Sequence, residues 1–93
     1  MAKSFHLRIM TAEGVLLEGE AEYCHIPTTA GSVGVLADHA PMLCAMPEGE
    51  TLCRMEDGTE KTVRHSSGVA NVRENRVTIL ADRAERYFST SLI

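Results

Sequence analysis

Tryptophan is absent, and aromatic residues make up only 4% of the 93 positions. Single-stranded nucleic acid is gripped on aromatic stacking platforms, so that class of function has little to stand on. Basic residues are scarce too: nine Lys and Arg face thirteen Asp and Glu, for a net charge of −4. A protein that neutralises phosphates needs the opposite balance, which argues against a general nucleic-acid binder. No long apolar run exists. The longest weakly polar stretch, residues 40–47, is far below the ~20 residues a membrane helix requires, so no direct membrane insertion is expected. The opening residues, Met1 to Arg8, lack the apolar segment of a secretory signal. Three cysteines, Cys24, Cys44 and Cys53, are odd in number and widely spaced, which argues against a disulfide framework and for a reducing compartment.

What is present is ordinary for one globular domain: 44% hydrophobic and 24% charged residues. Turn signals recur every several residues, at Gly14, Gly19, Gly31, Gly34, Pro41, Pro47, Gly49, Asp57-Gly58 and Glu74-Asn75. None of the runs between them is long enough for a confident helix. That spacing predicts an all-β sandwich or barrel. Phe5, Leu7 and Ile9 alternate with His6, Arg8 and Met10, the pattern of a strand with one buried face. Glu18, Glu20 and Glu22 fall on one face of a second strand and read as a solvated surface. Asp57-Gly58 predicts a hairpin with a two-residue turn, both central residues having positive φ. Glu74-Asn75 separates a further pair of strands, and the β-branched run at Val77, Thr78 and Ile79 supports the second of them. Asp82 is a candidate N-cap for a helix of a turn or two. Met42, Met46 and Met55 are candidates for an adaptable contact surface, with core packing the simpler expectation.

Chemistry-bearing constellations are thin. Four histidines and three cysteines occur without Cys-x-x-Cys or His-x₃₋₅-His spacing, and Cys24 and His25 point to opposite faces of a strand. Neither a metal site nor a Cys–His nucleophile is therefore expected. Gly31-Ser32-Val33-Gly34 is followed by no Gly-Lys-Ser/Thr, so it reads as a tight loop and not a phosphate cradle. His39, beside Asp38 and before Pro41, reads as a structural histidine that ties neighbouring backbone together.

Three blocks carry a family likeness. The first is Leu7-x-Ile9-x-Thr11-Ala12-Glu13-Gly14-x-Leu16. The second runs from Gly31-x-x-Gly34-Val35-Leu36 through His39-Ala40-Pro41-Met42-Leu43. The third is Gly68-Val69-Ala70-Asn71-Val72-Arg73 leading to Val77-Thr78-Ile79-Leu80-Ala81-Asp82-Arg83-Ala84-Glu85. Over residues 5–86 the chain resembles the epsilon subunit of the F-type ATP synthase. The resemblance implies a flattened ten-stranded, jelly-roll-like β-sandwich over residues 1–86 and a short tail over 87–93. It implies a non-catalytic rotor subunit of the central stalk, without catalytic residues, cofactor or small-molecule substrate. Its partners would be the gamma subunit, through Thr11, His39, Ala40, Pro41 and Cys44, and the c ring, through Thr28, Thr29, Ala30, Gly31 and Ser32. The location implied is peripheral, on the cytoplasmic face of a bacterial inner membrane. Ser32 departs from a loop that is commonly acidic in the family, and Ser66-Ser67-Gly68 departs from its usual double glycine. Many members continue into a C-terminal helical hairpin that inhibits hydrolysis and sometimes binds ATP. With Ile93 as the last residue, the expectation is a form without self-inhibition or an ATP site. An orphan β-sandwich protein-binding module that kept this fold but no longer works in an ATP synthase, soluble in the cytoplasm, is the alternative.

Overall fold

A computed structural model describes residues 3–87. Among them are nine strands and no helix: β1 (Phe5–Thr11), β2 (Gly14–Thr28), β3 (Gly31–Leu36), β4 (Met42–Met46), β5 (Gly49–Met55), β6 (Glu60–His65), β7 (Gly68–Arg73), β8 (Arg76–Ala81) and β9 (Ala84–Tyr87). They pair in the order β4-β7-β8-β1-β2-β5-β6-β9, with β3 added to β2. All pairs are antiparallel except β1 with β8.

The ladder folds into two layers because β2 serves both. Its first half, to Ala21, pairs with β1; its second half pairs with β3 and β5. The register shifts between Ala21 and Tyr23, where one extra residue re-aims the strand. The buried positions change phase at the same place, from Leu17 and Ala21 to Cys24 and Ile26. One layer is thus β4-β7-β8-β1-β2 and the other β3-β2-β5-β6-β9. Counting β2 once per layer recovers the ten strands of the expected sandwich.

The alternation read in β1 fills the core as expected: Phe5, Leu7 and Ile9 are buried, beside Val77 and Ile79 of β8 and in one core cluster with Cys24, Ile26, Val35, Cys53 and Val63 of the other layer. Met46 and Met55 are core residues, and Met42 is half-buried against the core cluster. Burial of this kind supplies most of the stability of a small sandwich. Two buried polar residues are reconciled by each other. His65 faces inward, its Nδ1 2.9 Å from the Ser66 carbonyl and its Nε2 2.9 Å from Thr51 Oγ1. The carbonyl can only accept, so Nδ1–H donates and Nε2 accepts the threonine hydroxyl. No buried side-chain nitrogen or oxygen among the described residues lacks a partner. Replacing Thr51 with the isosteric valine strands Nε2 without a donor. The expected cost is about 1–3 kcal/mol, read as a lower urea midpoint at unchanged m-value.

Two local expectations are corrected. The Asp57-Gly58 hairpin does not use a two-residue turn. Gly58 N–H donates to Met55 C=O at 2.9 Å and Met55 N–H to Thr59 C=O at 2.8 Å, enclosing a three-residue loop in which only Gly58 has positive φ (90°). Asp57 stays in the ordinary region because its carboxylate accepts the Thr59 amide (2.9 Å) and hydroxyl (2.7 Å). Those bonds, the amide first, hold the Asp57 carboxyl below its usual range. The two-residue turn with both central residues left-handed is at Glu74 (φ 50°) and Asn75 (φ 59°). The helix expected from Asp82 is also absent. Residues Ala84–Tyr87 form β9 on the edge of β6 instead. Ser66 fixes that choice: its N–H donates to the Arg83 carbonyl at 2.9 Å and its Oγ accepts the Arg83 N–H at 3.0 Å. A one-turn helix would forfeit both bonds and the β6 ladder. The sandwich assigned to residues 1–86 accordingly pairs through Tyr87, and the rest of the expected tail, 88–93, lies outside the described residues.

Candidate functional site

The residues expected at a partner interface fall in three places. His39, Ala40 and Pro41 lie in the connection from β3 to β4, with Ala40 and Pro41 exposed and His39 half-buried. His39 Nδ1 is 2.7 Å from the Ala40 carbonyl, the local backbone tie expected of it. The connection is held by Asn75, whose Oδ1 accepts the Asp38 N–H (2.9 Å) while its Nδ2 donates to the Ser4 carbonyl (2.9 Å). Asp38 takes φ 62° at this anchor. Cys44 follows on β4, yet it is half-buried and packs against the core. The surface of β4 is presented by its neighbours Leu43 and Ala45. Thr11 is not adjacent to this group. It ends β1, three strands away from β4 across β7 and β8, or roughly 14 Å at ordinary strand spacing.

Thr28, Thr29, Ala30, Gly31 and Ser32 form the tip of the β2–β3 hairpin, all exposed except half-buried Thr28. Thr28 closes the tip: its hydroxyl donates to the Gly31 carbonyl and its Oγ1 accepts the Ala30 N–H at 3.1 Å. Thr29 N–H donates to the Ala45 carbonyl on β4 at 3.0 Å. That bond brings the hairpin tip and β4 together, so the two candidate surfaces share an edge.

Between Thr11 and β4 lies a feature the linear reading missed. Ladder partners Ala45, Val69, Leu80, Met10 and Val15 form one row across five strands. The row faces outward: Val69 is 43% exposed and Leu80 and Val15 are each 50% exposed, with Leu43 beside them at 73%. Further along the same face the rows turn polar, through Asn71, Thr78, Arg8 and Glu18, then Arg73, Arg76, His6 and Glu20. Glu18 accepts from Arg8 Nη2 at 2.8 Å and lies 2.8 Å from His6 Nε2; Glu20 lies 3.2 Å from His6 Nδ1. The Arg8 bond, then the His6 bond, hold the Glu18 carboxyl below its ordinary value. Glu18, Glu20 and Glu22 are exposed, in line with the solvated face read from sequence. The signal for the apolar row was available in part, since Met10, Val15, Val69 and Leu80 are apolar at positions out of phase with the core.

No three metal-type donors gather among the described residues. Cys24 and His25 do face opposite ways, one buried and one exposed.

Residues 4–87 match the family model for the ATP synthase Delta/Epsilon chain, beta-sandwich domain. The chain belongs to that family. The ATP synthase epsilon chain of Roseiflexus sp. is 46% identical to it over 81 residues, which cover 87% of this chain and 58% of the relative. That of Desulfitobacterium hafniense is 39% identical over 85 residues, covering 91% and 64%. The chain thus spans about three-fifths of the length of these curated relatives. Among solved structures, a chain of the Euglena gracilis mitochondrial ATP synthase (OSCP/F1/c-ring) superposes with a TM-score of 0.86 at 23% identity, over 92% of this chain and 55% of that one. A chain of the Tetrahymena thermophila mitochondrial ATP synthase central stalk and c ring superposes at 0.73 with 15% identity, over 86% and 64%. These two likenesses concern the fold alone.

Proposed function

We propose that this chain is the β-sandwich of an ATP synthase epsilon subunit and acts in the central stalk as a non-catalytic coupling element. Its role is to seat against the gamma subunit and the c ring and to turn with them, passing torque between ion flow and nucleotide chemistry. The family match over residues 4–87 carries this reading. A torque-bearing body must be stiff, and a sandwich with one continuous core and satisfied buried polar groups suits that task. It must also hold a large partner without a deep pocket, and an exposed apolar row across five strands suits that too. On this reading Thr11, His39, Ala40, Pro41 and Cys44 mark the gamma side, with the Ala45–Leu80–Val15 row as the ground between them. The hairpin tip Thr28, Thr29, Ala30, Gly31 and Ser32 faces the c ring. Ser32 is neutral there, so a charge contact from this position to the ring is not part of the proposal. The chain works peripherally on the cytoplasmic face of a bacterial inner membrane.

The test is co-elution with a gamma subunit on size exclusion, at low and at moderate salt. A stable one-to-one complex that survives moderate salt is the expected result, since an apolar contact is little screened. A chain folded by circular dichroism that never co-elutes would refute the stalk reading and favour an independent protein-binding sandwich.

A further inference from the structure

Cys24 of β2 and Cys53 of β5 are register partners on adjacent antiparallel strands. Both are fully buried, and their sulfurs lie 3.5 Å apart, Cys24 donating to Cys53. Directly opposed residues on antiparallel strands have Cα atoms about 4.5–5.5 Å apart. That range falls inside the roughly 4.4–6.8 Å window a disulfide accepts. A rotation of the side chains is then enough to bring the sulfurs to bonding distance without moving the strands. We propose that Cys24 and Cys53 form a redox lock: a dithiol that a hydroperoxide converts to a cross-strand disulfide, pinning β2 to β5 inside the sandwich. This inference rests on the two strands alone and stands or falls apart from the stalk reading.

The chemistry balances with the peroxide as two-electron oxidant. Cys53, whose sulfur accepts the Cys24 hydrogen bond, loses its proton and attacks a peroxide oxygen. The S–O bond forms, the O–O bond breaks, and the departing hydroxide leaves as water with that proton. The Cys24 sulfur then attacks the sulfenic sulfur. The S–S bond forms, the S–O bond breaks, and the second hydroxide leaves as water with the Cys24 proton. The thiol pair loses two electrons and the peroxide gains them. Contact with Cys53, and then burial, push the Cys24 thiol well above its usual range, which makes the pair slow to react. A slow, buried pair suits a lock set by sustained oxidation. The loop it closes, residues 24–53, holds β3, β4, the hairpin tip and the 39–44 segment. The hairpin tip at residues 28–32 and the proposed contact residues His39, Ala40, Pro41 and Cys44 therefore lie inside that loop, while Thr11 and most of the apolar row lie outside it.

The test uses the intact chain and hydrogen peroxide, followed by alkylation in denaturant and peptide mass analysis. One alkylatable thiol, Cys44, is expected to remain, with the Cys24 and Cys53 peptides linked until dithiothreitol is added. The thermal midpoint should rise by about 10 °C or more, as closing a loop of this size predicts. Cys44→Ser should leave both results unchanged, and Cys53→Ala should abolish both. Three free thiols after prolonged peroxide, sulfinic acid on either cysteine without a link, or dimers joined only through Cys44 would overturn the proposal. A Cys24–Cys53 link with an unchanged midpoint would also overturn it, because nothing would then be locked.

Discussion

Gly68→Ala is expected to lower the thermal midpoint by at least ~12 °C, or about 3 kcal/mol of stability. Gly68 opens β7 and pairs with Ala81 at the end of β8. A Cβ placed on it overlaps the Leu80 carbonyl oxygen and comes within 2.9 Å of the Ala81 Cα. Both obstacles are backbone. A long side chain could swing away, but a strand cannot yield without parting from its neighbour. Relief means splaying β7 from β8 at the end where Val69 meets Leu80, and the Met46 pairing of β4 lies on the far side of the same residue. The loss thus combines steric overlap with broken ladder bonds. A sandwich of this size commands only ~5–15 kcal/mol in all, so the variant should also unfold at a markedly lower urea concentration. The measurement is calorimetry or circular dichroism melting. A midpoint within a few degrees of the parent would mean that β7 and β8 do not approach as closely here as described. Serine occupies the two positions before Gly68. The structure accounts for one of them, since Ser66 binds the Arg83 backbone through both its amide and its hydroxyl.

What the sequence disclosed, and what it withheld, follows the range of each interaction. Strand alternation is local, and so Phe5, Leu7 and Ile9 were readable as core. Turn positions are local too, which is why Glu74-Asn75 and Asp57-Gly58 were both found. The type of the second turn was misread because it depends on Asp57 choosing Thr59 as its partner, a bond outside the dipeptide. The Asp82 segment was misread for a similar reason: its partner is Ser66, many residues away, and edge pairing outweighed a cap signal. The division of β2 between two layers was legible in principle. The change of phase from Leu17 and Ala21 to Cys24 and Ile26 marks the bulge, but only once the run is taken as a single strand. The contacts between paired strands were not legible. Thr51 with His65, Cys24 with Cys53, and the row from Ala45 to Val15 each need a register that no single segment contains. The hairpin tip and the 39–41 connection came from family likeness. Their side chains are small, polar or exposed, and no periodicity distinguishes them from ordinary loops.

The largest effect on assembly is expected from Leu80→Arg. Leu80 sits in the middle strand of the outward row, flanked by Val69 on β7 and Met10 on β1. Half of its surface is open to water, so arginine can be carried there without disturbing Ile79 or Ala81 beneath it. The fold should therefore melt within a few degrees of the parent, as exposed substitutions usually cost no more than about 0.5 kcal/mol. In a complex with a gamma subunit the same position would lie at the centre of the buried row. A guanidinium there must give up water without a built partner, and the central residues of an interface carry most of its energy. A loss of about 2 kcal/mol, or roughly 30-fold in Kd, is the expected minimum. Leu52→Arg is the matched control. Leu52 is 38% exposed on the outward face of the opposite layer, between His25 and Thr62. It should leave the affinity unchanged if the apolar row is the contact. Titration of the two variants against the same gamma subunit decides the matter. Equal affinities would mean that the row stays open in the complex, and the contact would then have to rest on the 39–41 connection and the hairpin tip. A loss with Leu52→Arg alone would put gamma on the other layer, where the β5–β6 face, not the β7–β8 face, would bear the torque.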